Sequence, residues 1–277
     1  MDFEERHEKI LVPCVRVRAG TAGGSGTVLY SEPNEEEGSY STYVLTNHHV
    51  VDNLIKVDKK WSTLLKRDVK TDVFGIPNVE FFKWRYESRV VGAQSIEADI
   101  VTYDADEDLA LLKLRSDDQY IAATLYPKGK ERDLRLTMPV MAVGSGLGEP
   151  PVVTGGFLSQ FGREIDNKEY WLQTAPTIYG NSGGAVFLQD TYEFIGVPAR
   201  IAVTMQGFSP DAITHLSFIV PVTRVYEFLE AQLFRHIYDK SFTEKGEKAE
   251  RNRKRKEEER MLAAREEVKQ EEASEES

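Results

Sequence analysis

The sequence has a single cysteine, Cys14, in 277 residues, so no intramolecular disulfide can form. The fold must be held by packing and hydrogen bonding, which suits a reducing compartment. The sequence also lacks any run of roughly 18–20 apolar residues, which excludes a membrane-spanning helix and with it a membrane partner. Its first residues, MDFEERHEKI, are charged where a secretory signal would be apolar. These three absences predict a cytoplasmic protein. Positive charge is in short supply: 35 Lys and Arg stand against 46 Asp and Glu, a formal net charge of -11, which argues against a nucleic-acid partner. The five histidines are dispersed and cysteine is nearly absent, so no metal-ligand cluster and no cofactor is expected. The Gly144-Ser-Gly-Leu-Gly148 stretch lacks the lysine and the following helix of a phosphate-binding loop.

What is present is a β pattern. From about residue 10 to 222, short runs rich in β-branched and aromatic residues recur, among them Leu11–Val17, Tyr43–Thr46, Val79–Trp84, Ala110–Leu114, Val140–Val143, Ala185–Leu188 and Phe218–Val220. Gly, Pro, Asn and Asp clusters separate them, the signature of an all-β sandwich or barrel. Two stretches break the rhythm. In residues 53–70, Leu54, Ile55, Val57, Trp61, Leu64 and Leu65 fall mainly three or four apart, which predicts an inserted amphipathic helix. Near the end, Val225, Phe228, Leu229, Leu233 and Ile237 predict a terminal helix over 223–238. Residues 239–277 carry almost no large apolar side chains and read as a charged tail, helical or disordered, dispensable for folding beyond residue 239 and open to a partner or to self-association.

Three local patterns carry chemistry, in the order His, Asp, Ser. An apolar strand ends in Thr46-Asn-His-His-Val50; an acid precedes a buried run in Asp108-Leu-Ala-Leu-Leu112; and a serine lies between glycines in Gly180-Asn-Ser-Gly-Gly184. A serine hydroxyl is a weak nucleophile until a base takes its proton, and neutral histidine can do so near pH 7. A carboxylate fixes the histidine tautomer and stabilises the imidazolium. Glycines beside the serine let the backbone turn tightly and aim N–H groups, here those of Gly180 and Ser182, at a developing oxyanion.

Together these patterns resemble the trypsin-like serine proteases of the chymotrypsin clan, and within it the HtrA/Deg-like branch, without its PDZ domain. Thr46-Asn-His-His-Val50 is similar to that branch's Thr-Asn-x-His-Val, which selects His49 rather than His48 as the base, with His48 turned to the other side of a strand. Gly23-Gly-Ser-Gly-Thr-Val28, Val143–Gly148, Val153–Ser159 and Phe218-Ile-Val-Pro-Val222 extend the resemblance over roughly residues 10–235. It implies two antiparallel six-stranded β-barrels, about 10–116 and 139–222, in a protease domain of 10–238, with His49, Asp108 and Ser182 as the triad of a serine endopeptidase acting on protein or peptide substrates. A viral or phage maturation enzyme, in the host cytoplasm, is a narrower form of this reading. The rival is a catalytically silent protease-fold scaffold or binding module acting through its charged tail.

Specificity follows only from the resemblance. The position that floors the primary pocket in the clan is Pro176, uncharged, so a small or medium apolar side chain before the scissile bond is expected. Val197, Pro198 and Ala199 match the strand that pairs with substrate backbone, with Pro198 lacking an N–H to donate. Phe218 is expected to narrow the pocket.

Overall fold

The structure is a computed structural model that describes residues 3–34, 38–62, 67–206 and 209–275. Eight strands come from the first half of the chain: β1 (Cys14–Ala19), β2 (Ala22–Asn34), β3 (Ser39–Thr46), β4 (Ile55–Ser62), β5 (Arg67–Phe74), β6 (Asn78–Arg85), β7 (Arg89–Asp104) and β8 (Leu109–Leu114). Six of them close into a barrel in the order β1-β2-β3-β8-β7-β6. Alternation along β1 sets its faces: Val15, Val17 and Ala19 are fully buried, while Arg16 and Arg18 turn outward to Glu80 of β6. In β8, Leu109, Ala110, Leu111 and Leu112 are all fully buried, the continuous apolar run of a strand covered on both faces.

The second half supplies β9 (Thr124–Leu125), β10 (Pro139–Gly144), β11 (Val152–Ile165), β12 (Lys168–Gln173), β13 (Ala185–Leu188), β14 (Glu193–Gln206) and β15 (Ser209–Pro221). The sheet runs β13-β10-β11-β12-β15-β14, and β13–β14 pairing closes it into a second antiparallel ring. The two-residue β9 adds parallel to the start of β14 from within the segment joining the barrels. The architecture is thus the expected all-β, chymotrypsin-like double barrel with few helices.

By compactness the chain divides into two units, one of Met1–Leu54 with Phe74–Phe228 and the other of Ile55–Val73 with Leu229–Ser277. Both barrels lie in the first. The second departs from expectation. The inserted helix expected over 53–70 is instead the paired strands β4 and β5. A second period is present in the same stretch: Ile55 and Val57, then Val69, Thr71 and Val73, recur every second residue, and β-branched residues at that spacing favour an extended chain. Val57 and Trp61 are exposed rather than part of a buried stripe; Leu64 and Leu65 lie outside the described residues.

The terminal helix, α3 (Val222–Ala231), is shorter than the expected 223–238. Leu233 takes a left-handed φ of 58° and the Phe234 N–H turns back to the Leu229 carbonyl at 2.7 Å, the closure that ends a helix. All five stripe residues are nevertheless buried, Leu233 and Ile237 from the turns that follow. The tail forms a long helix, α4 (Glu244–Glu275), capped by Thr243, whose hydroxyl accepts the Gly246 N–H at 3.1 Å.

The base of α4 is not a free tail. Glu247, 2% exposed, accepts the Arg235 N–H at 2.9 Å and its guanidinium at 2.7 Å through one oxygen. Its other oxygen meets the His236 N–H at 2.9 Å and Nδ1 at 2.6 Å. Glu250 adds an ion pair to Arg235, and Arg251 stacks over Phe234. The expected boundary at 239 cuts through this cluster. Burial pushes His236 below its ordinary value of 6.5. Burial works to raise Glu247, but bonds from Arg235 and His236 outweigh it and hold the carboxyl below 4.5. Both folded-state values are depressed, so the unfolded chain binds more protons on acidification and stability is lost as pH falls, below 6.5 through His236 and below 4.5 through Glu247. A chain ending at residue 239 should therefore be less stable than one ending at 255 by about 2 kcal/mol or more at pH 7. That gap should shrink as the pH drops below 4.5, where the Glu247 carboxylate takes up its proton. Urea titrations of the two truncations measure it, and equal midpoints would place Glu247 outside the stabilising core.

Candidate active site

Barrel one delivers a histidine and a carboxylate to the same place. After β3, Asn47 is still extended (φ −77°, ψ 151°) and the chain then winds into one helical turn, α2 (His48–Val51), anchored by buried Val50 and Val51. The histidines therefore separate by helical rotation, not by the strand alternation expected. His48 stacks on Tyr103 with ring centroids 5.0 Å apart, whereas His49 faces Asp108. The His49 Nδ1 lies 3.0 and 2.9 Å from the two Asp108 oxygens, and the His49 backbone N–H donates to Oδ1 at 3.1 Å. A carboxylate held on Nδ1 selects the tautomer with the proton there and leaves Nε2 as an acceptor. The imidazole is 43% exposed and the Asp108 side chain 16%.

Asp108 sits in the turn between β7 and β8 with φ 53°, a conformation that L residues seldom adopt. The Asn47 amide donates to its carbonyl at 2.7 Å, and Asp104 Oδ1 accepts the Asp106 and Glu107 N–H groups at 2.9 and 3.0 Å.

Barrel two delivers the serine on the loop before β13. Gly180 has φ 99° and Gly183 φ 85°. A Cβ on Gly180 would stand 2.6 Å from the Ser145 carbonyl, and one on Gly183 2.2 Å from the Ser25 carbonyl, so only glycine meets both the angle and the space. Asn181, 6% exposed, accepts the Ile178 N–H at 3.1 Å with its side chain and the Gly184 N–H at 3.0 Å with its carbonyl, closing the turn around Ser182. Among the described residues, no hydrogen bond joins His49 to Ser182.

The contacts that bring this loop to barrel one come from a residue that motif reasoning passed over. The Ser25 N–H donates to the Ser182 carbonyl at 2.8 Å. Its hydroxyl donates to the Gly180 carbonyl and accepts the Ser145 N–H, each at 2.7 Å. Thr46 in turn donates to the Ser25 carbonyl at 2.7 Å. The serine in Gly23-Gly-Ser-Gly was visible only as part of a resemblance, because nothing local says that it reaches 155 residues along the chain.

The residues expected to contact substrate lie on β14, on β15 and in the loop after β12. Val197 is fully buried and paired with Val220. Pro198 accepts the Gly183 N–H at 3.1 Å, and a register shift between Pro198 and Arg200 marks a bulge at Ala199. Pro176 is exposed, its carbonyl taken by the Thr154 hydroxyl at 2.7 Å, while its neighbours Ala175 and Thr177 are the buried ones. Phe218 is half-buried in β15, opposite Leu172 and Arg200.

Residues 24–197 match the trypsin-like peptidase domain family. A probable periplasmic serine endoprotease DegP-like from Hahella chejuensis is 31% identical over 137 residues, 48% of this chain and 27% of that protein. Protease Do-like 5, chloroplastic, from Arabidopsis thaliana is 30% identical over 220 residues, 73% of this chain and 59% of that protein. Among solved structures, Deg5 superposes with a TM-score of 0.54 at 21% identity, covering 82% of this chain and 94% of that one, and an HtrA-type protease with a tripeptide gives 0.56 at 18%, covering 85% and 64%. These two likenesses bear on the fold. The chain spans about a quarter of the length of the bacterial relatives it matches.

The relatives overturn the expectation of a cytoplasmic protein: they are periplasmic or chloroplastic by name, which points away from the cytoplasm. The inference from cysteine failed for a physical reason. An oxidising compartment permits disulfides without requiring them, and two closed barrels with fully buried cores can be stable unaided.

Ser25→Ala should cost about 2 kcal/mol or more, because it strands the Gly180 carbonyl and the Ser145 N–H without their partner. A denaturant titration reads this, and a loss below about 0.5 kcal/mol, the range of an ordinary surface change, would remove Ser25 from the scaffold of the loop.

Proposed function

The chain belongs to the trypsin-like peptidase domain family, and from that premise we propose that it is a serine endopeptidase with His49, Asp108 and Ser182 as its triad. The observation that carries the assignment is the His49 ring held at 3.0 and 2.9 Å from both Asp108 oxygens, on the side of barrel one to which Ser25 ties the Ser182 loop. In this reading, His49 Nε2 takes the Ser182 proton as Oγ attacks the peptide carbonyl. The N–H groups of Gly180 and Ser182 receive the oxyanion. His49 then protonates the departing amine, leaving an acyl-enzyme, and water activated by the same imidazole releases the acid and restores the serine. The Ser182–His49 hydrogen bond forms as substrate closes the site, as is common for sites that are loose when empty.

Substrate is protein or peptide laid against Val197, Pro198 and Ala199. Pro198 cannot donate and its carbonyl is engaged by Gly183, so pairing shifts toward the bulge at Ala199. Near the nucleophile loop, Leu147, Val152, Val153 and Tyr179 are exposed large apolar residues. With an uncharged Pro176 they favour an apolar segment, presented by unfolded rather than native protein. The charged helix α4, with its basic run Arg251–Lys256 followed by Glu257–Glu259, is the surface we assign to a partner or a second copy.

A fluorophosphonate should label the folded protein at Ser182, mapped by mass, and label neither Ser182→Ala nor His49→Ala. His48→Ala should label normally, since His48 is engaged with Tyr103. Asp108→Asn should lower turnover by about 10⁴. A folded protein that no active-site probe labels would favour the silent scaffold, and silencing by His48→Ala would move the base to that residue.

A further inference from the structure

The turn that carries Asp108 is gripped from the other barrel. Arg224, in the first turn of α3, is 5% exposed. Its Nε meets a Glu107 carboxylate oxygen at 2.6 Å, and a second nitrogen donates to the Glu107 main-chain carbonyl at 3.1 Å. The third donates to the Glu169 carbonyl of β12 at 2.9 Å. Lys168 takes the other Glu107 oxygen. The Arg224 guanidinium lies over the buried Tyr170 ring at 4.9 Å, with that of Arg200 over the same ring at 5.2 Å. Burial works to raise the Glu107 carboxyl, but Lys168 and Arg224 together hold it below its ordinary range and so charged.

The consequence lies one residue further on. The Glu107 carbonyl belongs to the peptide plane that precedes Asp108, and Arg224 holds it. The Asp108 carbonyl belongs to the plane that follows, and Asn47 holds it at 2.7 Å. Fixing both planes fixes the φ of 53° at which the Asp108 side chain points to His49. Such a backbone persists only where its surroundings determine it from several sides. A buried ion pair seldom repays its own desolvation in stability, so the cluster is better understood by what it orients.

We propose that Arg224, acting through Glu107, is a positioning residue for the catalytic carboxylate, so that the helix following β15 of barrel two sets the orientation of the acid in barrel one. This rests on the triad reading above.

The test is a double-mutant cycle in the full-length chain, with unfolded casein as substrate. Arg224→Met should lower kcat by about 10- to 100-fold, the scale of a misplacement near 1 Å, with KM within about twofold. Arg224→Lys, which retains charge and one donor, should recover part of it. In an Asp108→Asn background, Arg224→Met should cause no further loss, because the two act on one step. An unchanged kcat in folded Arg224→Met overturns the proposal, and so does a full multiplicative loss in the double variant. If Arg224→Met does not fold, Glu107→Gln replaces it in the same cycle, and an unchanged kcat there overturns the proposal equally. The triad reading fails separately, if Asp108→Asn alone leaves kcat intact.

Discussion

Ser25 is where two barrels become one site. Its main-chain N–H and its hydroxyl hold the carbonyls of Ser182 and Gly180, and its own carbonyl is held by Thr46, one residue before the cap of the turn that bears His49. These bonds tie the Ser182 loop to the strand and the turn that lead to His49. The loop in turn can come so close only because Gly183 has no side chain to strike the Ser25 carbonyl. Main-chain geometry, more than side-chain charge, thus sets how closely the Ser182 loop approaches barrel one.

Charge is used where orientation is needed. The protein has an excess of acid, and two of its carboxylates, Glu247 buried and Glu107 partly so, are engaged on both oxygens. Glu107 is held by Lys168 and Arg224, and Glu247 by Arg235 and His236. The two clusters share a logic: a member of an ion pair drawn out of water also holds main-chain groups that carry no charge. In one case Arg224 holds the Glu107 carbonyl before Asp108 and the Glu169 carbonyl; in the other, Glu247 holds the N–H groups of Arg235 and His236 between α3 and α4. Buried pairs of this kind define a conformation more than they deepen its stability.

The family relationship and the local geometry bear on different questions. Family membership says what class of chemistry the barrels support. If Ser182 is the nucleophile, as proposed, the exposed Pro176, the bulge at Ala199 and the exposed apolar side chains near Ser182 are where this chain would meet a substrate. Pro176 and Tyr179 lie on the loop before β13, where a rigid double barrel tolerates change without losing its core, whereas the Ala199 bulge lies within β14.

The elements whose signal is local were legible along the chain. Continuous apolar runs such as Leu109–Leu112, alternation such as Val15 and Val17, glycines around Ser182, and the order of His49, Asp108 and Ser182 could all be read along the chain, because each depends on a few neighbouring residues. The helix expected at 53–70 failed where short apolar spacings fit two periods at once, and pairing of β4 with β5 decided between them. Left-handed Leu233 ended a helix whose apolar stripe ran on past it, since burial of Ile237 does not require helix. Ser25, Arg224 and Glu247 looked like ordinary polar residues in sequence. Their roles depend on groups brought near by folding, over 155 residues for Ser25 and 117 for Arg224. Only tertiary structure could decide them, because a hydrogen bond is set by distance and angle in space, and one residue's neighbours in the chain carry no record of its partner.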